Sequence, residues 1–83
     1  MDWDRFEEEV GAFLRDELRV EERPGPQASL YRSGLLDSAS LVQLAGFLEE
    51  WAGVSIPDRD VKIENFDTLH AMKQYLRSRL PSA

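Results

Sequence analysis

Apolar residues return at helical spacing in three stretches of this chain, separated by segments that lack it. Trp3, Phe6, Val10, Phe13, Leu14 and Leu18 recur every three or four positions, which predicts a first amphipathic helix. Asp2 or Asp4 is placed to cap it, and Glu7, Glu8 and Glu9 lie near its N-terminal end. Pro24-Gly25-Pro26 breaks the pattern, and residues 20–36 show no convincing periodicity. A connection longer than the ~12–15 residues usual for structureless loops needs anchors. Leu30, Tyr31, Leu35 and Leu36 are apolar enough to pin it across the fold, and a short β-hairpin is the competing reading. A second helix is expected from about Ser38 to Ala52, with Leu41, Leu44, Ala45, Leu48 and Trp51 or Ala52 as its buried stripe and Gly53 as its stop. Past Pro57 a short helical turn is expected around residues 61–65. The last helix starts near Asp67 or Thr68, presents Leu69, Met72, Tyr75, Leu76 and Leu80 on one face, and ends at Pro81. The pattern therefore predicts an all-α, up-down four-helix bundle with a short third helix and a long first loop.

Composition narrows this picture. A chain of 83 residues has room for one domain, residues 1–83, with a thin core. Without cysteine, neither disulfides nor thiolate metal sites can staple it, so apolar packing must hold it and any thiol chemistry must come from a prosthetic group. The second residue is already acidic and no apolar run approaches ~18 residues, which argues against a signal peptide or membrane span and for a cytoplasmic protein. The net charge is −6, concentrated early: residues 1–23 hold nine acids against four bases, residues 54–83 four against five. A nucleic-acid partner would need a basic stripe. The one cluster, Lys73, Arg77 and Arg79, falls near a helix C-terminus, where it complements the dipole instead.

The run Gly34-Leu35-Leu36-Asp37-Ser38, with Leu48-Glu49-Glu50 beginning ten positions after the serine, carries the chemistry. A turn, two apolar anchors, an acid and a hydroxyl lead directly into the second helix and put Ser38 in its first turn. Helix N-termini present unpaired N–H groups and the positive end of the macrodipole, each favourable charge there contributing ~0.3–1 kcal/mol, so a phosphate ester is well accommodated. Asp37 can cap the helix without being modified. On local sequence alone the first reading of Ser38 is an ordinary helix-start serine.

The longer register goes further. The order Leu44, Leu48, Glu49, Glu50, Trp51, Gly53, Val54, Ile56, Pro57, then Glu64-Asn65-Phe66-Asp67-Thr68-Leu69, resembles the acyl carrier and peptidyl carrier proteins over roughly residues 30–80; the first helix fits without being diagnostic. That resemblance implies a four-helix bundle of acyl-carrier type with 4'-phosphopantetheine attached covalently to Ser38. A phosphopantetheinyl transferase would take the group from coenzyme A, and its thiol would hold an acyl or aminoacyl cargo as a thioester. Asp37 would help position the helix start and the transferase. Ser33 and Ser40 are rival hydroxyls, but neither keeps the ten-residue spacing to Leu48. The implied partners are that transferase, an adenylating or acyl-transferring enzyme and downstream pathway enzymes, met by a monomer. The Gly-Leu-Leu-Asp-Ser form, the long loop and Glu-Asn-Phe look most like stand-alone carriers of amino acids, D-alanyl carriers included, or of polyketide-type acyl groups, which points to secondary-metabolite, nonribosomal-peptide or aminoacyl-transfer chemistry.

The face of the second helix that is not core is where partners are expected. Ala39, Val42, Gln43, Gly46 and Glu50 follow Ser38 along one side, four of the five uncharged. Fatty-acid-type carriers are strongly acidic there, and here Ser40 and Gln43 stand where acids are common. Asp37, Glu49 and Glu50 supply what electrostatic steering remains. No catalytic constellation is expected. His70 is the one histidine and is read as a surface or boundary residue without a partner ligand or base, and no metal site is expected. Glu49 and Glu50, adjacent on a helix, diverge by about 100° and cannot act as a carboxylate pair. Trp3, Trp51, Tyr31 and Tyr75 are read as core or core-edge aromatics rather than a stacking platform. The alternative to a carrier is a non-catalytic helical adaptor that binds a partner protein through this same face, with Ser38 only a cap.

Overall fold

A computed structural model describes residues 3–20, 24–34 and 36–80. Among them are four α-helices and no strand: α1 (Phe6–Leu18), α2 (Ser38–Ala52), α3 (Ile63–Phe66) and α4 (Leu69–Arg79), with 3-10 turns at Trp3–Arg5 and Asp58–Asp60. The all-α bundle with a short third helix and a long first connection is thus the fold. Its radius of gyration, 11.8 Å, is that of a compactly folded chain of this length, about 12 Å.

The stripes read from periodicity converge on one core. Phe6, Val10 and Leu14 of α1, Leu44 and Leu48 of α2, Phe66 of α3, and Leu69, Met72 and Leu76 of α4 are essentially inaccessible. Leu41, Ala45 and Ala52 complete the buried side of α2. Rings tie the elements together: Trp3, Phe6 and Trp51 form a cluster with centroids 5.4–6.0 Å apart. Phe13 stacks on Phe47 at 4.6 Å, and Phe66 meets Tyr75 edge-on at 5.3 Å. Such pairs contribute about 0.5–1.5 kcal/mol each beyond the area they bury.

Helix ends follow local chemistry. Gly53 stops α2 in the left-handed region, φ 68°, its N–H donating to Glu49 O at 2.9 Å while Val54 N reaches the same carbonyl at 3.2 Å; only glycine adopts that φ without strain. Thr68 caps α4 by accepting from Ala71 N at 2.9 Å. Arg79, in the last turn of α4, donates to Ser55 O at 3.2 Å, so one member of the basic cluster neutralises a loop carbonyl beside the negative end of the dipole.

Three expectations need correction. Arg5, not an aspartate, occupies the cap position of α1 and makes no side-chain cap; the turn Trp3–Arg5 leads into the helix instead. The short helix begins at Ile63 rather than at 61, because Lys62 is extended (φ −143°, ψ 157°) and Pro57 directs residues 58–60 into their own turn. Tyr31 does not pin the first loop by burial, being 54% exposed. Asp2, Leu35 and Pro81, to which capping, anchoring and stopping roles were assigned, lie outside the described residues.

Candidate functional site

The long loop is held by polar contacts as well as by apolar anchors. Leu30 and Leu36 are buried as expected, and Leu36 N donates to Leu30 O at 3.1 Å. Between them the chain turns: Gly34, at φ 78°, donates to Tyr31 O at 3.1 Å, and Ser33 Oγ donates to Ser29 O. The unexpected anchor is Asp67, at the junction of α3 and α4. Its carboxylate accepts from Ser29 Oγ at 3.0 and 2.8 Å and from Tyr31 N at 2.9 Å, while its carbonyl accepts from Leu30 N at 2.8 Å. Pro26 O accepts from His70 N at 3.0 Å, so a loop carbonyl satisfies one of the orphan N–H groups at the start of α4.

Out of this clamp the chain passes through Leu36 into Asp37, which is extended (φ −125°, ψ −173°) and caps α2. Asp37 Oδ1 accepts from Ser40 N at 2.8 Å, and its carbonyl takes Leu41 N at 2.8 Å. The Ser40 backbone N–H is the main cause that holds the Asp37 carboxyl below its ordinary value of 3.8. Ser38 follows as the first residue of α2, exposed, and its hydroxyl makes no hydrogen bond among the described residues. Because Asp37 does the capping, the Ser38 hydroxyl is left for other use.

An exposed primary hydroxyl with no base in contact is a weak nucleophile. His70 is exposed in the first turn of α4, and no hydrogen bond joins its ring to Ser38. The arrangement leaves the serine oxygen open to a substituent, with no base in contact with it among the described residues. Of the rivals, Ser33 is committed to its own turn, and Ser40 is half-buried behind the cap.

Beyond Ser38 the expected face is open to solvent. Ala39, Val42, Gln43, Gly46 and Glu50 are exposed and Glu49 is half-buried; at 100° per residue these positions span an arc of about 120° on α2. Among the described residues, Val42, one turn after the serine, and Tyr31, in the loop before it, are the large hydrophobic residues left most open, at 63% and 54%. The sequence pattern put these positions on the open side of α2, where they lie, but gave no sign of the Asp67 clamp. The available signal was the pair Asp67-Thr68: when the threonine caps, the preceding acid is free to bind elsewhere. Among the described residues no helix is long and apolar enough to cross a membrane.

A family model described as the phosphopantetheine attachment site matches residues 8–76 of the chain. No curated protein matches it.

Proposed function

This chain belongs to the phosphopantetheine-attachment family of carrier proteins, and from that premise we propose that Ser38 is the residue that bears its 4'-phosphopantetheine arm. The observation that carries the assignment is the exposed, uncommitted Ser38 hydroxyl at the first position of α2, beside a cap that is already made by Asp37. The residues fit the group. Oγ is open to approach, and the positive end of α2 favours the negative charge of a phosphodiester. No acid other than the capping Asp37 stands in the first turn.

The arm supplies a terminal thiol on which an acyl or aminoacyl cargo is carried as a thioester. What the chain itself does is narrower. Asp37 and the buried pair Leu30 and Leu36 hold the start of α2, and Ser38 Oγ attacks the phosphorus next to the pantetheine in coenzyme A. The P–O bond to the nucleotide breaks, adenosine bisphosphate leaves, and the serine proton passes to a base of the transferase, since among the described residues none is in contact with the hydroxyl. Carriers of this family are generally not catalysts, and we read this one likewise as a shuttle.

We read residues 1–83 as one carrier domain, monomeric and working in the cytoplasm on amino acids or polyketide-type acyl groups in a secondary-metabolite or aminoacyl-transfer pathway. Support for that narrower reading comes from the face of α2, whose exposed positions Ala39, Val42, Gln43 and Gly46 carry no charge. Partners would dock there mainly by shape and apolar contact, with Asp37, Glu49 and Glu50 giving limited steering. The test is the intact mass after incubation with coenzyme A, magnesium and a broad-specificity phosphopantetheinyl transferase. One added arm on wild type and none on Ser38→Ala is expected. No addition by several transferases would reject the assignment and favour a helical adaptor that uses the same face.

A further inference from the structure

Thr68 supplies the cap of α4, which leaves the Asp67 carboxylate to reach across to a loop 36 and 38 positions earlier. One residue thereby holds three consecutive ones: Ser29 through its hydroxyl, Leu30 through its N–H and Tyr31 through its N–H. Ser29 Oγ in turn accepts from Arg32 N at 3.1 Å, so the hydroxyl relays the carboxylate into the turn that ends at Gly34. The contact then continues toward the serine. Leu30 O accepts from Leu36 N, both side chains are buried, and Leu36 precedes the Asp37 cap. The ring of Tyr31 stands in solvent, so at this point of the loop the polar clamp does what apolar burial was expected to do.

We propose that Asp67 is a positioning residue for the loading of Ser38, fixing residues 29–31 and, through the Leu30 to Leu36 bond, the geometry in which α2 begins. The inference rests on Ser38 being the attachment residue. Asp67 has no bond to Ser38 and takes no part in the chemistry. Its loss lets the loop and the start of α2 sample other arrangements, so only a fraction of molecules present the serine correctly. Apparent affinity falls by that fraction, while the rate in the bound complex is kept.

The test is steady-state loading of the full chain by a broad-specificity phosphopantetheinyl transferase with coenzyme A and magnesium, the carrier concentration varied, for wild type, Asp67→Asn, Asp67→Ala and Ser29→Ala. Asp67→Ala should raise KM for the carrier about five-fold with kcat kept within about two-fold, the signature of a smaller competent fraction. Asn keeps an oxygen for Tyr31 N and an amide that can donate to Ser29 Oγ, so Asp67→Asn should restore KM to within about two-fold of wild type. Amide hydrogen exchange separates positioning from general loss of stability. In Asp67→Ala the amides of Tyr31 and Leu36 should exchange faster while those of Leu14 and Leu76 keep their protection. If Asp67→Ala does not fold, Ser29→Ala carries the same test, with a smaller rise in KM and the same local exchange. Wild type that loads, beside folded Asp67 and Ser29 variants with unchanged KM, overturns the inference and spares the Ser38 assignment. A KM rise with exchange accelerated uniformly along the chain also overturns it. Wild type that never loads overturns both.

Discussion

Gly46 offers a test of the exposed face of α2 in which stability can be read without any partner. It lies inside the 15-residue helix, outside the left-handed region that Gly34 and Gly53 occupy, and a Cβ built on it meets nothing within 4 Å. Gly46→Ala therefore costs no contact and removes the backbone freedom that glycine loses on folding, a gain of about 1 kcal/mol. For a domain of this size that corresponds to a rise in Tm of about 4–8 °C, read from thermal unfolding by far-ultraviolet circular dichroism. Gly53→Ala is the matched control. Its Cβ also meets nothing within 4 Å, but its φ is 68°, where an L-residue costs about 1–2 kcal/mol, so Tm should fall by a similar or larger amount. The pair differs in backbone conformation and not in space. A Gly46→Ala Tm equal to or below that of wild type would refute the reasoning, because it would mean that something covers this face or that α2 is not regular there.

Three further outcomes follow from side chains around the core and the site. The Tyr75 hydroxyl donates to Asp60 Oδ2 at 2.6 Å, and burial first, then that bond, pushes its pKa from 10.0 up to about 12. Because the folded value is the higher one, its stabilisation is complete below 10.0 and lost as pH rises toward about 12. Tyr75→Phe should cost about 1 kcal/mol at neutral pH in urea unfolding and remove that alkaline decline. Asp37 runs the other way: its carboxyl is held below 3.8 by the Ser40 N–H, so its capping is present above that pH and lost as pH falls through the folded value. Asp37→Asn, which keeps the accepting oxygen, should retain helicity at neutral pH and flatten this part of the acid unfolding curve. Reversing Glu49 and Glu50 to lysine should slow partner turnover several-fold at low salt and hardly at all at high salt, since these rim charges act on encounter; equal rates at low salt would remove them from the docking surface.

The helices were legible because burial imposes a period. Leu41, Leu44, Ala45 and Leu48 had to share one side of α2, and they do. The same logic left Ala39, Val42, Gln43 and Gly46 outside, and the cap at Asp37 was legible from an acid just ahead of an apolar-periodic run. The loop was legible only in its apolar anchors Leu30 and Leu36; its other anchors are hydrogen bonds between residues far apart in sequence, and no local period marks them. Tyr31 shows the cost of reading burial from residue type alone: its N–H is what the fold uses, and its ring faces solvent. The short helix shifted for a related reason, since one extended residue, Lys62, sets its start. At α1 an acidic first stretch suggested a capping aspartate, but the turn at Trp3–Arg5 brings Arg5 to the cap position.

The central claim is that one hydroxyl among several neighbours takes the arm, and fragmentation of the intact loaded protein by mass spectrometry tests it most directly. After treatment with coenzyme A, magnesium and a phosphopantetheinyl transferase, fragment ions should place a single added group on Ser38, with Ser33 and Ser40 unmodified, and Ser38→Ala should stay unloaded with its helical circular dichroism intact. An added group on Ser33 or Ser40, or loading of Ser38→Ala, would contradict the account.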